Sequence, residues 1–152
     1  CRAGGGQLPS PDLCLLHAGD GKLVIHDNPL CTATNAPTFD SHMTNLRSYI
    51  TLNPNDVESG KIGPVELKAF GHGNGMWGLP GDFSPPSRFV RAALFSANAI
   101  PSDNAEEGIA QVFHVLNNFY IPKGIGRTND DGTMTADYTQ VTTARDPQNL
   151  RF

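Results

Sequence analysis

Gly78-Leu79-Pro80-Gly81-Asp82-Phe83-Ser84-Pro85-Pro86-Ser87-Arg88-Phe89-Val90-Arg91-Ala92 is a loop running into a helix. Gly78, Pro80 and Gly81 break any regular period in the first half. In the second half Ser87 suits an N-cap, and Phe89, Val90, Ala93, Leu94 and Ala97 recur at the spacing of one helical face. Pro101 closes that helix. Arg88 falls in its first turn, where a cation opposes the helix macrodipole by some tenths of a kcal/mol, so a surface-charge role explains it poorly. Arg91, one turn later, reads as a solvated residue.

Upstream, Pro54, Pro64, Pro80, Pro85 and Pro86 together with the glycines from Gly71 to Gly81 make residues 53–86 a long loop. Loops of that length inside a compact domain are functional or disordered. His72 and Trp77 within it fit a substrate-side loop and a flexible turn equally. Before it, Asn35-Ala36-Pro37-Thr38 turns into a helix with Phe39, Met43, Leu46 and Ile50 (or Tyr49) on one face, stopping by Asn53-Pro54. Lys22 to His26 reads as a short strand, ended by Asp27-Asn28-Pro29, and Leu30 to Thr34 as extended. Downstream, Asp103 with Glu106 marks another helix start, and Ile109, Val112, Phe113, Leu116 and Phe119 supply its apolar face. A polar turn from Thr128 to Gly132 leads to a strand at Thr135–Ala144, then a turn at Asp146-Pro147 and a further strand start. Residues 1–20, with a Gly4-Gly5-Gly6 run and two prolines, read as irregular.

The 152 residues suit one domain, which at that size buries roughly 70% of its unfolded surface. A net charge of -4 without a basic stripe makes nucleic acid and anionic membranes poor partners and a small solute the better one. The longest apolar run, Leu13 to Leu16, is far below the ~20 residues that span a bilayer. Cys1, Cys14 and Cys31 lack the paired close spacing of a disulfide framework or a zinc ribbon, and at least one should be a free thiol. His17, His26, His42, His72 and His114 are scattered, so no metal site is expected. His26, His42 and His114 fit packing or surface roles.

Asn28-Pro29, Thr34-Asn35-Ala36-Pro37-Thr38-Phe39-Asp40, Asn45-Leu46, Gly78 to Ser84, and Ser87 to Ala92 together resemble the choloylglycine hydrolases, the family of bile salt hydrolases and penicillin V acylases. The likeness continues through Val112 to Asn117, Ile121 to Gly124, Asp137 to Gln140 and Ala144-Arg145-Asp146. It covers residues 21–152, which the resemblance makes the C-terminal part of such a domain, with residues 1–20 as a non-family segment. The fold it implies is α+β, part of an N-terminal-nucleophile αββα sandwich of antiparallel sheets with flanking helices.

The activity it implies is hydrolysis of a linear amide C–N bond by a cysteine at a mature N-terminus, without a cofactor. Asn35 matches the family asparagine whose side-chain amide helps form the oxyanion hole, and Arg88 matches the arginine near the nucleophile. Both types suit the chemistry: a fixed side-chain N–H stabilises the tetrahedral intermediate by about 3–4 kcal/mol, and a guanidinium beside a thiol favours thiolate. On residues alone, Asn35 reads as a turn or capping residue rather than a catalytic one, and the resemblance reverses that preference. Cys1 has a thiol and an α-amino base together, but Arg2 to Gly19 do not match the first hairpin that follows the family nucleophile. Cys1 is therefore read as a fragment start and the isolated chain as inactive. The alternatives are a shortened enzyme using Cys1 and an inactive acyl-ligand-binding module. The implied partners are a small-molecule amide substrate and, in a full-length parent, further copies of the chain. Pro85-Pro86 before Ser87-Arg88 is more similar to Gram-negative members, which favours an exported or periplasmic location over a cytoplasmic one.

Overall fold

A computed structural model describes the backbone of residues 14–17 and all of residues 24–145. They fall into two compact units, one within Ser10–Asn98 and one within Ala99–Phe152. Both combine helices with antiparallel hairpins or paired strands, so the class is α+β. The described strands form three separate two-stranded sheets. Cys1, the turn at Asp146-Pro147 and the strand start after it lie outside the described residues.

In the first unit, β1 (Cys14–His17) pairs antiparallel with β2 (Val24–Asp27), with Cys14 opposite Asp27 and His17 opposite Val24. β1 lies inside the stretch read as irregular. Immediately after β2 the chain is pinned by its own side chains. Buried Asn28 donates from Nδ2 to the Thr32 carbonyl (3.0 Å) and accepts from the Thr32 N–H (3.3 Å). That turn carries the chain through Cys31, whose φ is +51°, toward Asn35. Cys31 is disulfide-bonded, although the spacing of the three cysteines argues against a disulfide framework.

α1 (Phe39–Leu46) follows the cis Ala36-Pro37 peptide and tightens into a 3-10 turn at Arg47–Tyr49. Its Phe39 packs on α2 (Pro85–Asn98), forming a core with Phe89 and Ala93, flanked by Leu30, Met43 and Leu46. Phe39 meets Phe89 edge-on at 6.0 Å, and His42 stacks on the same Phe89 ring at 4.6 Å. Burying a side chain such as Phe89 is worth about 1.5–3 kcal/mol, so this small cluster anchors the two helices. α2 starts at Pro85, two residues before the predicted cap, because prolines in a first turn lose only N–H groups that the helix leaves unpaired.

Between these helices, the stretch read as loop contains β3 (Ser59–Ile62) paired with β4 (Val65–Lys68). Gly63 takes a φ of +58° at the first place of the two-residue Gly63-Pro64 loop, and Pro64 keeps its negative φ at the second. A 3-10 turn at Asn74–Met76 follows.

In the second unit, Asn104, rather than Asp103, caps α3 (Ala105–Asn117) by accepting from the Glu107 N–H at 2.9 Å. β5 (Gly126–Asp130) and β6 (Thr133–Asp137) then form a hairpin around Asp131 and Gly132, with φ of +51° and +84°. The predicted polar turn thus narrows to two residues and the predicted strand begins earlier and ends sooner. Ile121 and Thr139 close the base of this hairpin by exchanging hydrogen bonds of 3.0 and 3.1 Å.

Candidate active site

Asn35 and Arg88, 53 positions apart in the chain, meet directly. Asn35 lies in the turn between the pinned Asn28–Thr32 segment and α1; Arg88 projects from the first turn of α2. The α1–α2 core brings those two element starts together. One guanidinium nitrogen of Arg88 donates to Asn35 Oδ1 at 2.6 Å, and the Thr34 hydroxyl donates to the same oxygen at 3.2 Å. Two donors on one oxygen fix which way the amide faces. Its Nδ2 group is then turned outward with two N–H donors, and no described residue accepts from it.

Arg88 is itself held. Its Nε donates to the Phe83 carbonyl at 3.0 Å, so the guanidinium plane is fixed at two atoms. Phe83 sits in the Pro80–Ser84 loop, whose conformation is set by Asp82. One carboxylate oxygen of Asp82 accepts from the Ser84 N–H at 2.9 Å and the other from the Ser87 hydroxyl at 2.6 Å. The hydroxyls of Ser84 and Ser87 and the Ser84 N–H hold the Asp82 carboxyl down to about 2, well under the usual carboxylate value. Ser87, predicted as an N-cap, instead tethers Asp82 from inside the first turn.

Arg91 overturns its sequence assignment. It is 4% exposed, and one terminal nitrogen donates to both the Pro80 carbonyl (2.6 Å) and the Asp82 carbonyl (2.7 Å). Burial lowers its pKa, Asp82 offsets part of that and neighbouring Arg88 adds to it. Asp82 and Arg91 are the two residues of this cluster whose contacts the sequence did not reveal, because their partners are backbone groups and hydroxyls of an irregular loop.

The histidines divide as expected for packing and surface residues. His42 is buried against Phe89 with both ring nitrogens outside hydrogen-bonding geometry, and burial lowers its pKa, partly offset by the Ala36 and Pro37 backbone. His72 is exposed beside Asp56, whose carboxylate also accepts from Gly73 N–H at 2.8 Å. Trp77 is exposed and meets Phe70 edge-on at 6.0 Å. Neither His72 nor Trp77 makes a described hydrogen bond to Asn35 or Arg88. Among the described residues no cluster of His, Cys, Asp or Glu could hold a metal ion, and no helix is long and apolar enough to cross a membrane.

Residues 10–152 match the model of the linear amide C–N hydrolases, choloylglycine hydrolase family. A bile salt hydrolase/transferase of Clostridium perfringens is 41% identical over 118 residues, which is 78% of this chain and 36% of that protein. A solved conjugated bile acid hydrolase variant from Clostridium perfringens superposes with a TM-score of 0.65 at 39% identity, over 76% of this chain and 35% of the other. The penicillin V acylase of Agrobacterium tumefaciens superposes with a TM-score of 0.57 at 27% identity, over 81% and 32%. The chain thus spans about a third of the length of these relatives. On its matched residues and its fold, the chain belongs to the choloylglycine hydrolase family of linear amide C–N hydrolases.

Proposed function

We propose that residues 21–152 supply the oxyanion donor and the orienting cation of an amidase that cleaves the C–N bond of conjugated bile acids. The observation that carries this is the bond from Arg88 to Asn35 Oδ1. It leaves the Asn35 N–H groups as fixed donors, and the nearby positive charge strengthens them, as a developing oxyanion requires. In the reaction a base takes the proton of the thiol, the thiolate attacks the amide carbon, negative charge grows on the former carbonyl oxygen where Asn35 donates to it, the amine leaves with that proton, and water then hydrolyses the thioester to release the acid and regenerate the thiol. Arg88 acts twice, by holding Asn35 and by favouring thiolate through its charge.

The nucleophile in this proposal lies outside residues 21–152, in keeping with a chain that spans about a third of its relatives, and the 152-residue chain alone does not turn over substrate. The three hairpins complete the sheets of an αββα sandwich in the longer protein. Conjugated bile acids are favoured over penicillin V because identity to the bile salt and bile acid hydrolases is 34–41%, against 27% to the acylase. The disulfide at Cys31 supports an exported or periplasmic location. Exposed Phe70, Trp77 and Ile50 support assembly with further copies.

The test is release of free amine from glycine- or taurine-conjugated bile acid by the enzyme containing residues 21–152, beside Asn35→Ala and Arg88→Ala. Loss of turnover in both, with folding retained, is the expected result. Undiminished release in either variant removes that residue from the site, and activity of the 152-residue chain that disappears in Cys1→Ser moves the nucleophile to Cys1.

A further inference from the structure

Arg88 can hold Asn35 only if its own guanidinium is held, and its second anchor is a main-chain carbonyl, that of Phe83. A carbonyl in a loop containing Gly81 has no fixed direction of its own, since glycine admits more backbone conformations than other residues. The residues around Phe83 remove that freedom. On one side Arg91 grips the carbonyls of Pro80 and Asp82; on the other the Asp82 carboxylate closes onto the Ser84 N–H and the Ser87 hydroxyl. The peptide that bears the Phe83 carbonyl is therefore bracketed by two tethers, both anchored in α2, the helix that carries Arg88.

We propose that Arg91 is a positioning residue, whose buried guanidinium sets the Pro80–Ser84 loop so that the Phe83 carbonyl fixes Arg88 against Asn35. An apolar side chain of the same length at this position fills the space without the cost of burying a charge, and replacing buried ionic groups by apolar ones is often neutral or stabilising. Packing alone thus gives no reason for an arginine. Two N–H groups on one terminal guanidinium nitrogen, reaching two carbonyls at 2.6 and 2.7 Å, do. Arg91 sits three residues after Arg88 on the same helix, so one arginine shapes the loop and the other uses it.

The proposal rests on Arg88 and Asn35 as the site, and the two can be tested apart. In the 152-residue chain, exchange of the Arg88 side-chain Nε proton, followed by nitrogen-edited NMR, reports its bond to Phe83 whether or not the chain is active. Arg91→Met should speed that exchange by about tenfold or more while the α2 backbone amides keep their protection, and Arg91→Lys should give a smaller effect. In the active enzyme Arg91→Met should lower kcat by about 10- to 100-fold with KM within about twofold, with partial rescue by Arg91→Lys, and Ser96→Ala, an exposed residue of the same helix, should alter neither readout. If Arg91→Met disrupts α2, Arg91→Lys and Asp82→Asn decide: faster Arg88 exchange in either, with α2 amides intact, supports the proposal. Unchanged Arg88 exchange in a folded Arg91→Met, or in both of the other two, overturns it. Faster exchange together with full turnover in Arg88→Ala leaves the contact standing and removes Arg88 from the chemistry.

Discussion

Acidification below about pH 6.5 should destabilise the first unit chiefly through His42, and His42→Phe should remove most of that effect. The ring is 2% exposed, stacks on Phe89 at 4.6 Å with the planes 11° apart, and has neither nitrogen in hydrogen-bonding geometry. Burial therefore disfavours the charged ring and lowers its pKa below the ordinary 6.5. The unfolded chain then binds the proton first. Stability is constant above about pH 6.5 from this source and falls below it, with a slope approaching ~1.4 kcal/mol per pH unit, until the folded form also titrates. A loss of 1 kcal/mol corresponds to about 4–8 °C in Tm for a unit of this size, so the effect is measurable. A Phe ring preserves the stack and carries no titratable group. Urea unfolding followed by far-UV circular dichroism at pH 7.5, 6.5 and 5.5 should show wild type weakening across the last step and His42→Phe much less so. Parallel losses in the two proteins would refute the reasoning. Asp82 does not confuse the comparison, because its folded value of about 2 places its own window lower.

That lower window is the second prediction: the stability Asp82 contributes is present above about pH 4 and lost as pH falls toward 2, and Asp82→Asn should reduce the acid sensitivity there, measured as Tm against pH. Phe89→Ala should cost about 3–5 kcal/mol in urea unfolding, because the ring is 1% exposed and touches both Phe39 and His42, whereas Phe70→Ala, at 91% exposed, should stay within about 0.5 kcal/mol. Arg88→Ala should raise the pKa of the attacking thiol, seen as an alkaline shift in the pH dependence of alkylation by iodoacetamide in the active enzyme.

The helices were legible because their apolar faces are periodic. Phe39, Met43 and Leu46 of α1 and Phe89 and Ala93 of α2 were all placed correctly from spacing. Ile50, expected on the same face as Leu46, is 83% exposed, because the tighter winding at Arg47–Tyr49 carries the following residues out of phase. β3 and β4 were illegible for a different reason. All their residues are exposed, so no inside–outside alternation exists to be read, and Pro64 looked like a breaker when it is the turn. β1 was missed beside a glycine-rich start. At the site, the choice of Asn35 and Arg88 came from family likeness, and their direct contact was not foreseen, since nothing in local spacing links residues so far apart. Arg91 was misplaced because a lone arginine is solvated by default, and carbonyl acceptors nine and eleven residues earlier leave no mark in side-chain text.

The role of Asn35 is tested most directly by kcat for Asn35→Asp in the active enzyme acting on a conjugated bile acid. The carboxylate matches the amide in size and keeps an oxygen for Arg88 and Thr34, so the contacts that shape the site survive. It replaces the N–H groups that point away from Arg88 with a second oxygen and adds a negative charge beside Arg88, so Asn35→Ala, which adds no charge, is measured beside it. If those groups receive the oxyanion, kcat should fall roughly 10²–10³-fold with a modest change in KM, in a protein as stable as wild type. A kcat within about twofold of wild type would contradict the account, since an asparagine that serves only to brace Arg88 tolerates that exchange.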